Sequence, residues 1–238
     1  MSQNQALPAA FIFDCDGTLV DSMGAWLDVQ PRLLASFGVE GLTPDDFAEF
    51  EALSVENECA AYHDKWGVGE PGGRDILERL LGMLEQAYAE DVPARPGAPA
   101  FLERVHAAGI PCTVATSTPA HLVQAALEHT GLAPYLEGIT TTEEAGASKE
   151  HPDVYNLALA RLAEAHGLGE VDRRRVWVFE DALFGLLSSG AVGYRRVGIH
   201  DPAGRFTLEQ VGANSEIFIT AYEDDLLDRV LAFRSEEA

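Results

Sequence analysis

The sequence predicts an α/β protein: a doubly wound parallel sheet with helices on both faces and a small all-helical domain inserted after the first strand. Short apolar runs typical of buried strands alternate with longer segments whose apolar residues recur at helical spacing. Between residues 22 and 92 the spacing is helical throughout. The chain has 238 residues, of which 47% are hydrophobic and 23% charged, so it has enough apolar material for one large core and a smaller one.

Local signals mark the first strand and the helical insertion. Residues 9–14 (AAFIFD) form an apolar run that ends in the polar loop DCDGT, as a buried strand does at its carboxyl end. The first helix of the insertion ends before Gly38, a residue typical of helix ends. Thr43, followed by Pro44 and two acids, predicts the capped start of another helix. Further helices of the insertion are predicted over residues 55–66 and 74–88.

A proline-punctuated link at residues 92–97 leads from the insertion to the rest of the chain. We therefore expect a core domain of residues 1–21 and 96–238 and a helical domain of residues 22–95. Strands of the core are predicted over residues 111–115, 138–141, 175–179, 195–199 and 216–219. Helices of the core are predicted over residues 99–108, 119–130, 152–166, 182–190 and 224–233. This alternation predicts a parallel sheet, which binds ligands at the carboxyl ends of its strands.

Four polar clusters follow four of the predicted strands. They are DCDGTLVDS (residues 14–22), Thr116-Ser117-Thr118, Lys149 in the loop after the third strand, and Glu180-Asp181. Taken singly, each has an ordinary interpretation as loop acids, a helix cap or a solvated lysine. Because parallel strands end at one edge of the sheet, the four clusters together predict a single site.

The residue types in this site predict phosphoryl chemistry. The candidate metal ligands are Asp14, Asp16, Glu180 and Asp181, an oxygen-only set that suits Mg²⁺. A carboxylate held beside phosphorus by the metal can attack it and form an acyl phosphate. Asp14 is the candidate nucleophile, and Asp16 is placed to protonate the leaving oxygen and then deprotonate water. Lys149, Thr116 and main-chain N–H groups of the first loop would bind the phosphoryl oxygens.

Charge and cysteine content indicate the partners and the compartment. The net charge of −23 disfavours nucleic acid and anionic membranes as partners. Three widely spaced cysteines without a CxxC pattern favour a reducing cytosol over a disulfide framework. Cys15 follows a buried strand and has no histidine near it in sequence, so we interpret its side chain as a small buried group and not as a nucleophile. No apolar run reaches membrane-spanning length and no basic leader precedes the first strand, so we expect a cytoplasmic protein, and a monomer.

DCDGTLVDS, TST, Lys149 and VFEDALFG resemble the four signature motifs of the haloacid dehalogenase superfamily of phosphatases. The helical insertion resembles the small cap of its β-phosphoglucomutase-like branch. The resemblance implies a Rossmann-like core and a Mg²⁺-dependent phosphoric monoester hydrolase. The implied substrates are small phosphorylated metabolites, with sugar phosphates the leading class. Asp16 argues against dehalogenases proper, which lack the second acid, and against the phosphonate-cleaving branch, which usually has alanine there.

The resemblance also implies a role for each motif residue. Asp14 is the nucleophile and a metal ligand, and Asp16 is the general acid/base whose main-chain oxygen also binds the metal. Lys149 stabilises the phosphate and Asp181 is a direct metal ligand, a role that Glu180 supports or shares. The expected phosphate-binding residues are Cys15, Asp16, Thr116, Ser117 and Lys149.

The chain departs from the family's patterns at three places. The lysine loop reads Ser148-Lys149-Glu150-His151-Pro152-Asp153, where the family often has Gly-Lys-Pro-x-Pro-Asp. The sugar-phosphate mutases of this branch have a histidine and an arginine where this chain has Trp26 and the segment ALSV at 52–55. The lack of both favours a phosphatase, with a mutase as the alternative. A non-catalytic scaffold is a remoter alternative, disfavoured by the complete set of acids and lysine.

Candidates for facing the cleft from the insertion are Met23, Trp26, Tyr62 and His63. For the aromatic residues among them, packing inside the insertion is the favoured interpretation.

Overall fold

The computed structural model describes residues 7–233. Six strands form one sheet in the order β3-β2-β1-β4-β5-β6, and all of its pairings are parallel. The strands are β1 (Ala10–Phe13), β2 (Cys112–Thr116), β3 (Ile139–Thr141), β4 (Val176–Glu180), β5 (Arg195–Ile199) and β6 (Ile217–Ile219). The chain winds outward from β1 in both directions, so a crevice opens at the carboxyl end of β1. The predicted doubly wound parallel sheet is confirmed.

Helices cover both faces of the sheet and fill the stretch between β1 and β2. The helices are α1 (Met23–Ala35), α2 (Val55–Trp66), α3 (Arg74–Gln86), α4 (Ala98–Ala107), α5 (Ala120–His129), α6 (Thr142–Ala145), α7 (Asp153–His166), α8 (Leu183–Ala191), α9 (Leu208–Ala213) and α10 (Leu226–Ala232). A 3₁₀ helix covers Pro44–Phe50 and a π-helical turn covers Ala87–Asp91. None of the helices within residues 7–233 has the length and apolar character needed to cross a bilayer.

The predicted elements agree with the structure except at a few positions. Thr43 caps a helix as predicted, with its main-chain N–H donating to Asp46 at 2.7 Å, but the helix is of the 3₁₀ type. The π-helical turn replaces the end of the predicted helix over 74–88. Two short helices, α6 and α9, were not predicted. Both begin with a capping box; in α9 it is formed by Thr207 and Gln210. The capping signal was therefore present in the sequence, but the helices are too short to show apolar periodicity.

Strand β1 is buried on both faces, which explains its unbroken apolar run. Phe11 and Phe13 point to one face, where the rings of Phe13 and Phe179 lie 4.4 Å apart. Ile12 points to the other face and packs in a second cluster with Tyr155. Because the strand is fixed on both sides, the loop that follows it at Asp14 is held at the centre of the sheet's carboxyl edge.

The segment of residues 22–95 contains helices and turns, with one isolated bridge to it from the core, between Val20 and Ala94. Four rings pack together inside it with centroids 5.2 to 5.9 Å apart: Phe47, Phe50, Tyr62 and Trp66. Tyr62 is fully buried there, as the packing interpretation predicted. This aromatic cluster packs α2 against the 3₁₀ helix and so fixes the position of these two helices within the segment.

Candidate active site

A cleft of about 800 Å³, counting its open mouth, lies at the carboxyl edge of the sheet and is bounded on the other side by the helical segment. Its lining includes seven of the predicted site residues, Asp14, Asp16, Thr116, Ser117, Lys149, Glu180 and Asp181. The four sequence clusters therefore meet at one place. Strand ends bring them there from positions up to 167 residues apart, which is the separation of Asp14 and Asp181.

The centre of the site is a buried ion-paired group. The Nζ atom of Lys149 lies 2.5 Å from Oδ1 of Asp14 and 2.7 Å from Oε1 of Glu180. The Tyr155 hydroxyl donates to the same Glu180 oxygen at 2.8 Å. The other oxygen of Glu180 accepts from the main-chain N–H groups of Asp181 at 3.0 Å and Ala182 at 3.3 Å. Both oxygens of Glu180 are thus satisfied by the protein, and they hold the lysine beside Asp14.

The electrostatics of this group favour a bound cation. Burial is the main reason that the pKa values of Asp14 and Asp181 lie well above their usual range, and repulsion from Glu180 adds to it. Burial also opposes the charge of Lys149, but Asp14 and Glu180 outweigh it and raise its pKa. One lysine therefore faces three buried carboxylates. Oxygens of Asp14, Glu180 and Asp181 all lie within 4.8 Å of one another, so the donor set fits a hard divalent cation such as Mg²⁺.

A glycine and a further aspartate complete this side of the site. Gly17 has a φ of +73°, and a Cβ there would lie 2.4 Å from Oδ2 of Asp181 and 3.0 Å from Oδ2 of Asp201. Asp201 follows β5, and its Oδ1 pairs with Arg95 at 3.3 Å. Its Oδ2 is buried and accepts no hydrogen bond from residues 7–233. Asp201 was not predicted, although it follows a predicted strand like the other four clusters.

Asp16 is held by three hydroxyl groups from different parts of the chain. Ser22 donates to Oδ1 at 2.5 Å, Thr118 donates to Oδ2 at 2.8 Å, and Tyr88 also donates to Oδ1. The indole N–H of Trp26 donates to the Tyr88 hydroxyl at 2.7 Å. Burial raises the pKa of the Tyr88 hydroxyl, and the negative charge of Asp16 beside it raises it further, so this hydroxyl keeps its proton. The positioning of Asp16 by Tyr88 was not predicted.

Of the remaining predicted phosphate-binding residues, Thr116 and Ser117 line the cleft together with Asp14, whereas Cys15 is not part of its lining. The Thr116 hydroxyl accepts from the main-chain N–H of Thr118 at 3.1 Å. The Ser117 hydroxyl is buried, lines the cleft, and has no hydrogen-bond partner within residues 7–233. The Cys15 side chain is fully buried, and burial raises the pKa of its thiol well above the usual value, which argues against a thiolate nucleophile. An unpartnered buried hydroxyl that lines the same cleft as Lys149 suits the binding of an anionic oxygen.

On the helical side of the cleft, the structure separates the four candidate residues. Met23 and Trp26 line the cleft. Tyr62 belongs to the aromatic cluster, and Nδ1 of His63 lies 2.8 Å from the main-chain oxygen of Val68, so neither is part of the lining. Three polar side chains that were not predicted, Gln30, Glu51 and Glu58, line this side of the cleft, and a fourth, Arg205, lines it from the loop after β5.

The helical segment and the core touch at the cleft. The main-chain N–H of Lys149 donates to the oxygen of Ala52 at 3.1 Å. Arg205, from the loop after β5, pairs with Glu51 and with Asp45, the latter at 3.0 Å. The segment that differs from the mutase pattern thus lies directly against the lysine loop.

This arrangement of acids and lysine at the edge of a doubly wound sheet defines a class of hydrolases, and comparison with known proteins identifies the family. The family model of the haloacid dehalogenase-like hydrolases matches residues 8–193. The chain belongs to this family, which confirms the family, the fold and the enzyme class predicted from the motifs.

Curated relatives of the chain include two phosphatases of Escherichia coli (strain K12). Hexitol phosphatase A is 31% identical over 207 residues, covering 84% of this chain and 87% of the relative. Hexitol phosphatase B is 24% identical over 216 residues, covering 89% of this chain and 94% of the relative. The phosphoglycolate phosphatase of Rhodobacter capsulatus is 27% identical over 162 residues, with 67% and 73% covered.

Solved structures resemble the chain in fold. CbbY from Rhodobacter sphaeroides, crystallised in complex with phosphate, has a TM-score of 0.77 at 20% identity, with 92% of this chain and 96% of that chain covered. A putative β-phosphoglucomutase from Thermotoga maritima has a TM-score of 0.65 at 21% identity, with 93% and 96% covered. At these identities the likeness concerns the fold alone.

Proposed function

We propose that the chain is a Mg²⁺-dependent phosphatase of small phosphorylated metabolites, with sugar phosphates the leading class, that works through an aspartyl-phosphate on Asp14. The observation that carries the proposal is the buried Asp14 carboxylate with Lys149 Nζ at 2.5 Å and further carboxylates within 4.8 Å. The relatives named as phosphatases support it.

Three groups are suited to hold Mg²⁺: the carboxylates of Asp14 and Asp181 and the main-chain oxygen of Asp16, which accepts no hydrogen bond from residues 7–233. When bound, the ion would offset the repulsion between Asp14 and the phosphate and keep both in contact. We assign Glu180 the supporting role, because its oxygens already bind Lys149, Tyr155 and two main-chain N–H groups.

The proposed reaction has two steps. A carboxylate oxygen of Asp14 bonds to phosphorus while the bond from phosphorus to the alcohol oxygen breaks, and Asp16 gives a proton to that oxygen. Asp16 then takes a proton from water, whose oxygen attacks phosphorus and releases Asp14 with inorganic phosphate. Lys149, Thr116, Ser117 and the main-chain N–H groups of Cys15 and Asp16 bind the phosphoryl oxygens in both steps.

We further propose that residues 22–95 form a cap domain over a core of residues 1–21 and 96–238. The path from Trp26 through Tyr88 to Asp16 supports a cap that orients the general acid/base as it closes. The cytoplasmic location, the monomeric state and the lack of nucleic-acid and membrane partners remain predictions from the composition.

Phosphate release from a panel of phosphorylated compounds, with Mg²⁺ and with a chelator, tests the proposal. We expect release that depends on Mg²⁺ and a phosphoenzyme that is trapped by acid quenching in the wild type and is absent in Asp14→Asn. Mg²⁺-dependent transfer of phosphate between sugar phosphates without release would point instead to the mutase. Turnover by Asp14→Asn at the wild-type rate would refute the covalent step.

A further inference from the structure

Two polar side chains on the helical side of the cleft are nearly buried yet incompletely paired. Gln30 on α1 is 6% exposed and Glu58 on α2 is 5% exposed, and both line the cleft. The amide nitrogen of Gln30 donates to Oε1 of Glu58 at 2.7 Å and to the Tyr62 hydroxyl at 3.2 Å. The Tyr62 hydroxyl donates to the same Glu58 oxygen. The hydrogen bonds of this pair involve neither the amide oxygen of Gln30 nor Oε2 of Glu58, and neither of these two atoms is among the fully buried unpaired atoms of residues 7–233.

When the Glu58 carboxyl is ionised, this network presents acceptors to the cleft and uses its own donors internally. Both N–H groups of the Gln30 amide and the Tyr62 hydroxyl proton are used inside the network. The two oxygens that remain can each accept a hydrogen bond from a ligand. A ligand that fits them carries hydroxyl groups, because a carboxylate or a phosphate offers further acceptors in place of donors.

The network is poorly explained as a stabilising element of the segment. Burial raises the pKa of Glu58 to about 7, and its hydrogen-bond partners, Tyr62 and Gln30, are both neutral. A buried carboxyl group without a cationic partner contributes little to stability and often detracts from it. Its position on the cleft wall, with one oxygen unpaired, indicates a ligand-binding role.

The charges around the cleft disfavour a second anionic group on the substrate. Of the residues in 7–233 that line it, the cationic ones are Lys149 and Arg205. Lys149 is paired with Asp14 and Glu180, while Arg205 is paired with Glu51 and Asp45 and also donates to the main-chain oxygen of Pro44. A carboxylate or second phosphate on the leaving group would meet Glu58 and Glu51 without a free cation to bind it.

We propose that Gln30 and Glu58 determine substrate specificity by binding hydroxyl groups of a neutral polyol leaving group, and that they select against phosphorylated compounds with a second anionic group. The inference rests on the proposed phosphatase activity and specifies its substrate class. Apolar side chains of the same cleft, among them Trp26, Leu53 and Phe184, would contact the carbon skeleton.

The test compares kcat/KM for sorbitol 6-phosphate and glycerol 3-phosphate with kcat/KM for 2-phosphoglycolate and fructose 1,6-bisphosphate. Mg²⁺ is present, and the pH is kept above the pKa of about 7 of Glu58 so that its carboxyl is ionised. We expect the wild type to prefer the two polyol phosphates by about tenfold or more, the effect of a single hydrogen bond to a charged group. Glu58→Gln keeps the size of the side chain and removes its charge. In this variant the ratio of sorbitol 6-phosphate to 2-phosphoglycolate should fall by about tenfold or more.

Asp64→Asn is the matched control, because Asp64 is an exposed acid on the same helix. Its substrate ratio should equal that of the wild type. Gln30→Met, which keeps the length of the side chain but lacks the acceptor oxygen, is the second variant should Glu58→Gln fail to melt cooperatively. It should lower the ratio in the same direction.

The outcomes separate the inference from the proposed function. A wild-type preference for 2-phosphoglycolate or the bisphosphate overturns the inference and leaves the phosphatase standing. An unchanged ratio in folded Glu58→Gln, or in folded Gln30→Met, does the same. No Mg²⁺-dependent release from any of these compounds or from p-nitrophenyl phosphate refutes the proposed function and the inference with it.

Discussion

Replacing Tyr88 with phenylalanine removes one hydroxyl from the site and tests whether the helical segment positions Asp16, the proposed general acid. The hydroxyl donates to Asp16 and accepts from the indole N–H of Trp26 at 2.7 Å. In the proposed step Asp16 becomes charged as it gives up its proton, and a hydrogen bond to a charged group contributes about 1.5–3 kcal/mol. Since each 1.36 kcal/mol changes a rate tenfold, we expect Tyr88→Phe to lose about tenfold to a hundredfold in kcat/KM for an alkyl phosphate.

The leaving group distinguishes a positioning role for Tyr88 from a general structural one. In the proposed mechanism an alkoxide takes a proton from Asp16 as it departs, whereas p-nitrophenolate leaves without one. The loss in kcat/KM, which reports the phosphorylation step, should therefore be much larger for glycerol 3-phosphate than for p-nitrophenyl phosphate. The unpaired indole N–H should also lower the free energy of unfolding by about 1–3 kcal/mol.

Tyr135→Phe makes the same chemical change on the core, where the ring packs against His106. Its activity on both substrates should match that of the wild type. Equal losses on the two substrates in Tyr88→Phe, or full activity in that variant, would refute the assignment of Tyr88 as a positioning residue for Asp16.

Three other predictions concern the buried carboxylates. Asp14→Asn should abolish phosphate release and still unfold cooperatively in a thermal melt; detectable turnover would contradict its role as nucleophile. Gly17→Ala places a Cβ 2.4 Å from Oδ2 of Asp181, so half-maximal activity should need more Mg²⁺ by about tenfold or more; an unchanged Mg²⁺ titration would refute the expected displacement of the Asp181 carboxylate. The raised pKa values of Asp14, Asp181 and Glu58 mean that the folded state retains protons which the unfolded chain has lost. The melting temperature of the metal-free protein should therefore fall as pH rises from about 4.5 through 7. Adding Mg²⁺ at the higher pH should restore part of the lost melting temperature. A melting temperature that rises over this interval would contradict the raised pKa values.

The sheet and the four motif clusters were predictable because their signals are local. An apolar run that ends in polar residues identifies a strand and its carboxyl end, and the parallel arrangement of the strands then brings those ends together. Asp201 obeys the same rule after β5 but was missed, because Asp201, Pro202 and Gly204 read as an ordinary turn.

The helical contributions to the site could not be read from the sequence. Tyr88 and Tyr155 lie 72 and 25 residues from the acids that they contact, and an aromatic residue at helical spacing has the pattern of a packing residue. Gln30 and Glu58 are polar, so their pattern places them on a solvent-exposed face, yet both are nearly buried. Which face of a helix is covered depends on the packing of α1 against its neighbours, and no short stretch of sequence determines that.

In the proposed mechanism, the hydrogen bonds of Asp16 link substrate specificity to catalysis. Its carboxylate is held by Thr118 from the core, by Ser22 where the helical segment begins and by Tyr88 near its end. Trp26, which supports Tyr88, lies on the same helix as Gln30. A displacement of α1 from the sheet would therefore disturb Gln30 of the proposed hydroxyl-binding pair and Asp16, the proposed general acid, at the same time. A leaving group that binds well to Gln30 and Glu58 would hold α1 in place, so its alkoxide would be protonated efficiently. A poorly bound leaving group would show a lower kcat as well as a higher KM.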